Sequence, residues 1–416
     1  MKRIINFPNV TAVAFLRQLS RAIALLAFLL TGSQGIANPA YSHVVVVVEE
    51  NHGYSDIIGN SSIAPYINDT LASGGIVLTN AYGEQHPSQP NYYWLFSGGN
   101  QGISNDTPPL GATNSSPNLY TELQSQFAGT AQANNFFGAY VDQFPGTGGY
   151  TNSPGTGTNT AYAVYSTNQT NPASDTNISP NYAARHVPWL GFSNINGGNP
   201  SGITVDFTNS PLSLGNFSNL PVVSFIIPGL NNDMHDWDTN GNAVSNPTNS
   251  AIAIQNGDAW LSNNLSSYAA WAKSNNSLLI VTWDEDHSAD WATNASQLNP
   301  SGLTAPDLGY QASSNTSGSN QIAMVFYGAN LATNGLVGTF GANSNGVNNL
   351  NLYDTLQSFY GISNYGTQSD VAAAAGLVSA PITDIFAVPE PGTVALLGIS
   401  LLLFIPFFRT LQRRGS

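Results

Sequence analysis

Four short runs of apolar residues, each ending abruptly in polar residues, proline or glycine, constrain this chain most. Val44–Val48 is five valines in succession, closed by Glu49-Glu50-Asn51. Val222–Ile227 stops before Pro228, Leu278–Thr282 runs into Trp283-Asp284-Glu285-Asp286, and Ile322–Tyr327 stops at Gly328. Apolar runs of this length without alternation suit strands buried on both faces, which occur in parallel sheets covered by helices. The expected fold class is therefore α/β, with a central, mostly parallel sheet and helices on both faces. In such sheets sites form where the C-terminal ends of strands converge. Between the runs, Asp258–Lys273 carries Trp260, Leu261, Leu265, Tyr268 and Trp271 at helical spacing, and Leu352–Tyr360 repeats the pattern. The Gly-, Thr-, Ser- and Asn-rich segment from Gly146 to Pro180 reads as a loop-rich cap insertion.

Charge narrows the chemistry. The net charge is -14, and only nine residues are Lys or Arg. Lys2, Arg3, Arg17 and Arg21 lie near the N-terminus and Arg409, Arg413 and Arg414 near the C-terminus, so the body keeps only Arg185 and Lys273. Nucleic acid and anionic membrane surfaces are recognised by clustered cationic side chains, and such a body should repel both. Any anionic substrate must then be neutralised by something other than basic side chains, for which a bound divalent cation is the natural candidate. Cysteine is absent, which excludes disulfides, thiolate zinc sites and a cysteine nucleophile.

The two ends carry addresses. Basic residues up to Arg21, the apolar run Ala22–Leu30 and the small-residue stretch Gly35-Ile36-Ala37 read as a signal peptide over residues 1–37, with an N-terminal anchor as the alternative. Val388-Pro389-Glu390-Pro391-Gly392-Thr393 precedes the apolar stretch Val394–Phe408 and terminal arginines, the pattern of a transmembrane helix with a basic stop. The Pro-Glu-Pro triplet, apolar helix and arginines together resemble the PEP-CTERM sorting signal of Gram-negative bacteria. That resemblance implies export to the cell envelope, surface or extracellular matrix. It also implies transient membrane insertion over residues 388–416 and a membrane sorting protease as partner.

Five clusters in the body could do chemistry. Glu49-Glu50-Asn51-His52 offers hard oxygen donors for a divalent cation at a strand end. His86-Pro87-Ser88-Gln89-Pro90-Asn91-Tyr92-Tyr93 places Ser88 near the start of a helix, where amide groups and the dipole favour an anion. A serine there can be activated by a metal ion without a histidine base, with the Asn91 amide facing a phosphoryl oxygen. Tyr182-Ala183-Ala184-Arg185-His186 sets one of the body's two basic residues beside a histidine, and a surface ion pair competes there with a phosphate-facing role. Asn231-Asn232-Asp233-Met234-His235-Asp236 offers Asp233 and His235 to one ion. Asp284-Glu285-Asp286-His287 packs three carboxylates whose repulsion a cation would relieve. Each cluster alone suits a solvated loop; at converging strand ends they form a site.

The pieces resemble, in family order, the phosphoesterase family of acid phosphatases and bacterial phospholipases C, within the alkaline phosphatase superfamily. They are Glu49-Glu50-Asn51, His86–Tyr92, Tyr182–Pro188, Asn232–Asp236, Gly257-Asp258-Ala259-Trp260-Leu261 and Thr282–Asp286, spanning about residues 43–386. The resemblance implies an alkaline-phosphatase-like catalytic domain over residues 38–387. It implies that Ser88 attacks phosphorus and forms a phosphoserine. Glu50, Asn51, Ser88, Asp284 and Glu285 would hold one metal. Asp233 and His235 would serve a second metal or the leaving group. Asn91, Arg185 and His186 would stabilise the phosphoryl oxygens. The chain departs from the pattern in having Glu285 where a histidine is usual, and no histidine in Ser313–Asn320, where Asn320 is the polar stand-in. An oxygen-rich set suits Ca, Mg or Mn better than the superfamily's two Zn ions. Three readings follow: a phosphomonoesterase of acid-phosphatase type, a phosphodiesterase or phospholipase C, and an inactive surface or matrix binding protein on the same fold.

Overall fold

The computed structural model describes residues 39–107, 111–144, 182–235, 247–286, 320–341, 346–362 and 378–387. The expected signal peptide, sorting signal and cap insertion lie outside them. Among the described residues no helix is long and apolar enough to cross a membrane, and the apolar stretch Val394–Phe408 is not among those residues.

Among the described residues nine strands form one sheet: β1 His43–Glu49, β2 Ile76–Tyr82, β3 Phe137–Val141, β4 Thr204–Asp206, β5 Val223–Ile227, β6 Ser277–Trp283, β7 Gln321–Gly328, β8 Leu336–Gly338 and β9 Val347–Asn348. Their order is β4-β3-β5-β1-β6-β7-β2-β8, with β9 also on β2. The four runs read from the sequence are thus the four adjacent central strands β5, β1, β6 and β7. Val44–Val48 are at most 1% exposed, so both faces of β1 are covered, which is why its sequence does not alternate.

One strand departs from expectation. β7 is antiparallel to both β6 and β2, while the other pairings are parallel. Its C-terminal Gly328 therefore pairs with Leu278, at the start of β6, far from the site edge. Its entry point, Asn320-Gln321, lies at the edge where β1 and β6 end. The same reversal turns β2 parallel to β1 and delivers the segment after Tyr82 to that edge.

Helix α1, Ser88–Ser97, begins after an extended Pro87 and ends at Gly98 in the left-handed conformation (φ 68°). Every residue of α1 is buried. Phe96 meets Phe137, Trp189, Phe192 and Phe225 edge-on, with centroids 5.5–6.2 Å apart. Such pairs contribute about 0.5–1.5 kcal/mol each beyond their buried area, so the aromatic floor fixes α1 on the sheet. Helix α2 is Leu119–Gln126. Helix α3 runs Pro247–Ser274, starting well before the expected Asp258, because the buried Ala253 and Ile254 extend its core face through a polar sequence. Helix α4, Asn349–Ser358, starts earlier than the expected Leu352. Asn348 Oδ1 accepts from the Asn351 amide and Asn351 Oδ1 from the Asn348 amide, both at 3.1 Å, a reciprocal cap that fixes that start.

Candidate active site

Three strand ends meet at one carboxylate cluster. The Glu50 amide donates to the Asp233 carbonyl at 2.7 Å, tying the end of β1 to the loop after β5. The Asp284 amide donates to the Glu49 carbonyl (3.1 Å), and the Asn51 amide to Asp284 Oδ1 (3.1 Å), tying β1 to β6. Asn51 takes a left-handed φ of 49°, a conformation asparagine tolerates better than most side chains. The loop after β5 is held from a fourth strand end, where Asp142 Oδ2 accepts from the Gly229 amide and from Asn232 Nδ2. Two glycines permit the close approach. A Cβ on Gly83 would stand 2.6 Å from the Asp284 carbonyl, and one on Gly257 of α3 would stand 2.3 Å from Met234 Cγ and 2.9 Å from the Asn232 carbonyl.

Ser88 is the first residue of α1, 3% exposed, and its hydroxyl faces this cluster. Ser88 Oγ lies 3.0 Å from Glu50 Oε2, 3.2 Å from Glu285 Oε1 and 3.3 Å from the Asn51 amide group. Glu50 Oε1 accepts from the Tyr92 hydroxyl. The Asn51 amide reaches His235 Nε2 at 2.9 Å. With its nitrogen toward the cluster it donates to Glu50 (3.3 Å) and Glu285 (3.1 Å); with its oxygen there, the nitrogen donates to a neutral His235.

The electrostatics are those of crowded anions. Burial first, then Asp284 and Asp233, pushes the Glu50 carboxyl well above its ordinary range. Burial and then Glu285 do the same to Asp284, and burial lifts Asp233 to about 7 and Glu285 upward. His186 is driven well below its ordinary value by burial, then by Arg185 and His235. Its Nε2 lies 3.2 Å from Glu50 Oε1 without hydrogen-bond geometry, and the opposite shifts disfavour an ion pair there. Asp233 Oδ2 and Asp284 Oδ2 are buried without hydrogen-bond partners among the described residues.

The expected site residues are thus brought together. Glu50, Asn51, Ser88 and Glu285 are in mutual contact; Asp284, Asp233 and His235 adjoin them. Asn91, expected to face a phosphoryl oxygen, is spent locally. Its Oδ1 accepts from the Glu84 and Gln85 amides, and its Nδ2 donates to the Gln85 carbonyl (2.8 Å) and toward Glu285 Oε2 (3.4 Å). It shapes the turn that delivers Ser88. His186, expected at the phosphate, sits behind Glu50 and stacks on Tyr92 (centroids 5.1 Å, planes 6° apart). Arg185 Nε approaches Asp106 at 3.9 Å, and Asp106 Oδ1 also accepts the Gln89 amide of α1. Asn320 links Asp286 (2.7 Å) to Gln85 (3.3 Å). Asp236 and His287 lie outside the described residues.

His86 is a site residue that sequence reasoning passed over. Its Nδ1 lies 2.9 Å from Glu285 Oε2 and its Nε2 3.4 Å from Asp286 Oδ1. Burial alone would lower its pKa, but Glu285 and Asp286 raise it to about 10, so it is an imidazolium clamped between two carboxylates. The signal was its place two residues before Ser88. Glu84 was also missed: it accepts from Asn349 Nδ2 and from the Leu350 amide, anchoring the Ser88 turn to α4.

The family model described as Phosphoesterase family matches residues 65–340. The chain belongs to the phosphoesterase family. It is 34% identical over 355 residues, 85% of this chain and 86% of the relative, to a phosphatidylinositol-3-phosphatase of Mycobacterium tuberculosis. It is 26% identical over 255 residues, 59% of this chain and 45% of the relative, to an acid phosphatase of Aspergillus fumigatus. Among solved structures it is similar to a member of the alkaline phosphatase superfamily from Vibrio parahaemolyticus, at 12% identity and TM-score 0.43, covering 79% of this chain and 69% of that one. The chain is accordingly a phosphoric-ester hydrolase on an α/β fold with a mostly parallel sheet.

Proposed function

We propose that this phosphoesterase is an exported, metal-dependent phosphomonoesterase that works through a phosphoserine at Ser88. The observation that carries the reading is the setting of Ser88 Oγ. It is the first side chain of α1 and lies within 3.3 Å of Glu50, Asn51 and Glu285, which come from two strand ends. The donor set fits a divalent cation by its chemistry. It is rich in oxygen, its carboxyl groups are pushed upward by burial and mutual repulsion, and Asp284 Oδ2 and Asp233 Oδ2 have no hydrogen-bond partners among the described residues. Among the described residues no three His, Asp or Glu side chains are already arranged as a ligand group, so Asn51 and Ser88 belong to the proposed set with Glu50, Asp284 and Glu285. Asp233 and His235 border it. Mg, Mn or Ca suits such ligands better than Zn. When bound, the ion supplies positive charge that favours the Ser88 alkoxide and neutralises the substrate phosphate.

The chain's own groups account for the rest. Glu50 Oε2 lies nearest the Ser88 hydroxyl, and it could accept the Ser88 proton only when ionised, the form that a cation beside it would favour. The oxygen then attacks phosphorus opposite the ester oxygen as the P–O ester bond breaks, and the leaving oxygen takes up the proton given by Ser88 and departs as the alcohol; water then attacks the phosphoserine, passing one proton to Ser88 Oγ and leaving as phosphate. His86 holds Glu285 in place as its ion-pair partner, and Tyr92 holds Glu50. Arg185 is the cationic side chain proposed to meet the phosphate from the Asp106 side. Monoester specificity is supported by the two relatives, a phosphatidylinositol-3-phosphatase and an acid phosphatase. Export, and processing at the membrane by a sorting protease, are proposed on the two terminal sequences. The test is turnover of p-nitrophenyl phosphate and its diester with Mg, Mn, Ca and Zn added in turn to chelator-treated protein, beside Ser88→Ala. Inert wild type under every ion, or an active variant, would refute the mechanism.

A further inference from the structure

Both ends of the body are held at one place, the edge of the sheet opposite Ser88. At the start, the Tyr41 hydroxyl donates to the Ala329 carbonyl (2.8 Å) and the Ser42 amide to the Asn276 carbonyl (2.8 Å). At the finish, the Ala387 amide donates to the Asn330 carbonyl (2.8 Å) and the Ala332 amide to the Ile385 carbonyl (2.9 Å). The buried Phe386 packs on Tyr41 and Phe359 and joins the two ends. Asn276 precedes β6, and Ala329 and Asn330 follow the antiparallel β7, so these groups lie where the parallel strands begin. The site lies where those strands end. The eight residues of β7 set the two edges about 25 Å apart. The edges also differ in charge. The segments leading into the parallel strands, residues 39–42, 73–75, 127–136, 196–203, 216–222, 275–276 and 329–335, contain no Asp, Glu, Lys or Arg. The opposite edge carries Asp56, Asp106, Asp206 and Asp286, each partly or fully exposed, besides the buried carboxyl groups around Ser88.

We propose that, while the apolar stretch Val394–Phe408 lies in a membrane, the body rests its strand-entry edge on that bilayer and turns Ser88 to the aqueous phase. Its substrates at that stage are water-soluble phosphate esters and not lipids of the anchoring bilayer. The inference rests on the phosphatase reading of Ser88 and on the proposed C-terminal membrane segment. Tether length and charge both require this orientation. Only the six residues Val388–Thr393 join Ala387 to the apolar stretch. Fully extended, they bridge about 25 Å. With the catalytic edge on the bilayer, Ala387 would stand at least about 25 Å above it, and the straight path down is filled by the sheet. A path around a covering helix adds its thickness of about 10 Å, so the tether is too short. An anionic headgroup layer meets no carboxylate at the strand-entry edge, whereas it would meet Asp56, Asp106, Asp206 and Asp286 at the other.

The test uses the full chain in vesicles of phosphatidylcholine, phosphatidylglycerol and phosphatidic acid, with an energy acceptor on a fraction of the headgroups. Because the chain has no cysteine, Thr333→Cys and Ser55→Cys each take a single donor dye, one at each edge. Both positions are exposed and lie outside the site. Energy transfer places the dye of Thr333→Cys near the bilayer and that of Ser55→Cys about 20 Å higher, most of a strand length. Should Thr333→Cys fail to fold, Asn334→Cys, also exposed, replaces it. With divalent cation added, p-nitrophenyl phosphate supplied outside is turned over, and phosphatidic acid of the same bilayer is hydrolysed no faster than by Ser88→Ala. The proposal is overturned if the two dyes stand at equal or reversed heights, if the bilayer phosphatidic acid is hydrolysed as fast as the soluble ester, or if the full chain does not enter the vesicles. The expected heights without turnover of either ester defeat the Ser88 reading and leave the orientation standing; turnover of the soluble ester with reversed heights defeats the orientation alone.

Discussion

Gly257→Ala separates this account from ordinary helix energetics. Gly257 lies within α3, and at an exposed helical position the change stabilises by about 1 kcal/mol through backbone propensity. Here the added Cβ would stand 2.3 Å from Met234 Cγ, 2.8 Å from Met234 Cε and 2.9 Å from the Asn232 carbonyl oxygen. The methionine side chain can turn away; the carbonyl belongs to backbone held by Asp142 and by the Glu50–Asp233 hydrogen bond. Overpacking of this kind costs about 1–3 kcal/mol, which exceeds the propensity gain. The net expectation is a loss of about 1 kcal/mol, a fall in Tm of only about 1–2 °C in a body of this size. The effect on turnover is larger, because the displaced loop carries Asp233 and His235. A shift of the order of 1 Å in a positioned group lowers activity about 100-fold. Calorimetric melting and p-nitrophenyl phosphate turnover read the two effects separately. A variant that melts higher than wild type and retains its turnover would show that α3 does not press on the site loop.

Other perturbations probe separate parts. Asp258 accepts the Tyr66 and Ile67 amides at 3.0 and 2.8 Å, so Asp258→Ala leaves two buried donors unpaired and costs about 2–5 kcal/mol, read by urea unfolding. Tyr92→Phe removes the hydroxyl that supports Glu50 and raises the ion concentration for half-maximal turnover about 10-fold or more; an unchanged ion titration would place Glu50 outside the ion's shell. Asp354 of α4, buried against Ser379, is raised from the ordinary aspartate range to about 7, so folded protein keeps it protonated while the unfolded chain ionises. Stability from this group is complete at acid pH and falls as pH rises from about 4 to about 7, by up to a few kcal/mol. Asp354→Asn flattens that stretch of the stability profile, and an unaltered slope would contradict the assignment.

The sequence reached the centre of the sheet because β1, β5, β6 and β7 are buried on both faces and leave uninterrupted apolar runs. It did not reach β2, whose Thr79 and Asn80 interrupt the run and are satisfied only by Thr339 and Phe340 far along the chain. β3 hides behind Gly138, and β4, β8 and β9 are two or three residues long and exist through pairing. The reversal of β7 was invisible because an apolar run carries no direction. In the site, residues that advertise a function by type, Ser88, Glu50, Asn51 and Glu285, were legible and are in contact. The clamp of His86 between Glu285 and Asp286 spans about two hundred residues of chain and has no local signature. Asn91 was legible as a site residue; its contacts with the Glu84 and Gln85 backbone were not, since those groups come within reach only when the turn before Ser88 has formed.

The central claim is that Ser88 carries the phosphoryl group. Acid quenching of the ion-supplemented enzyme during steady-state turnover, followed by peptide mass spectrometry, tests it directly. The account predicts a phosphoryl adduct on the peptide that contains Ser88, at Ser88 itself, absent from Ser88→Ala, which has lost turnover. A phosphorylated residue elsewhere, or a Ser88→Ala variant that turns over substrate at the wild-type rate, would contradict it.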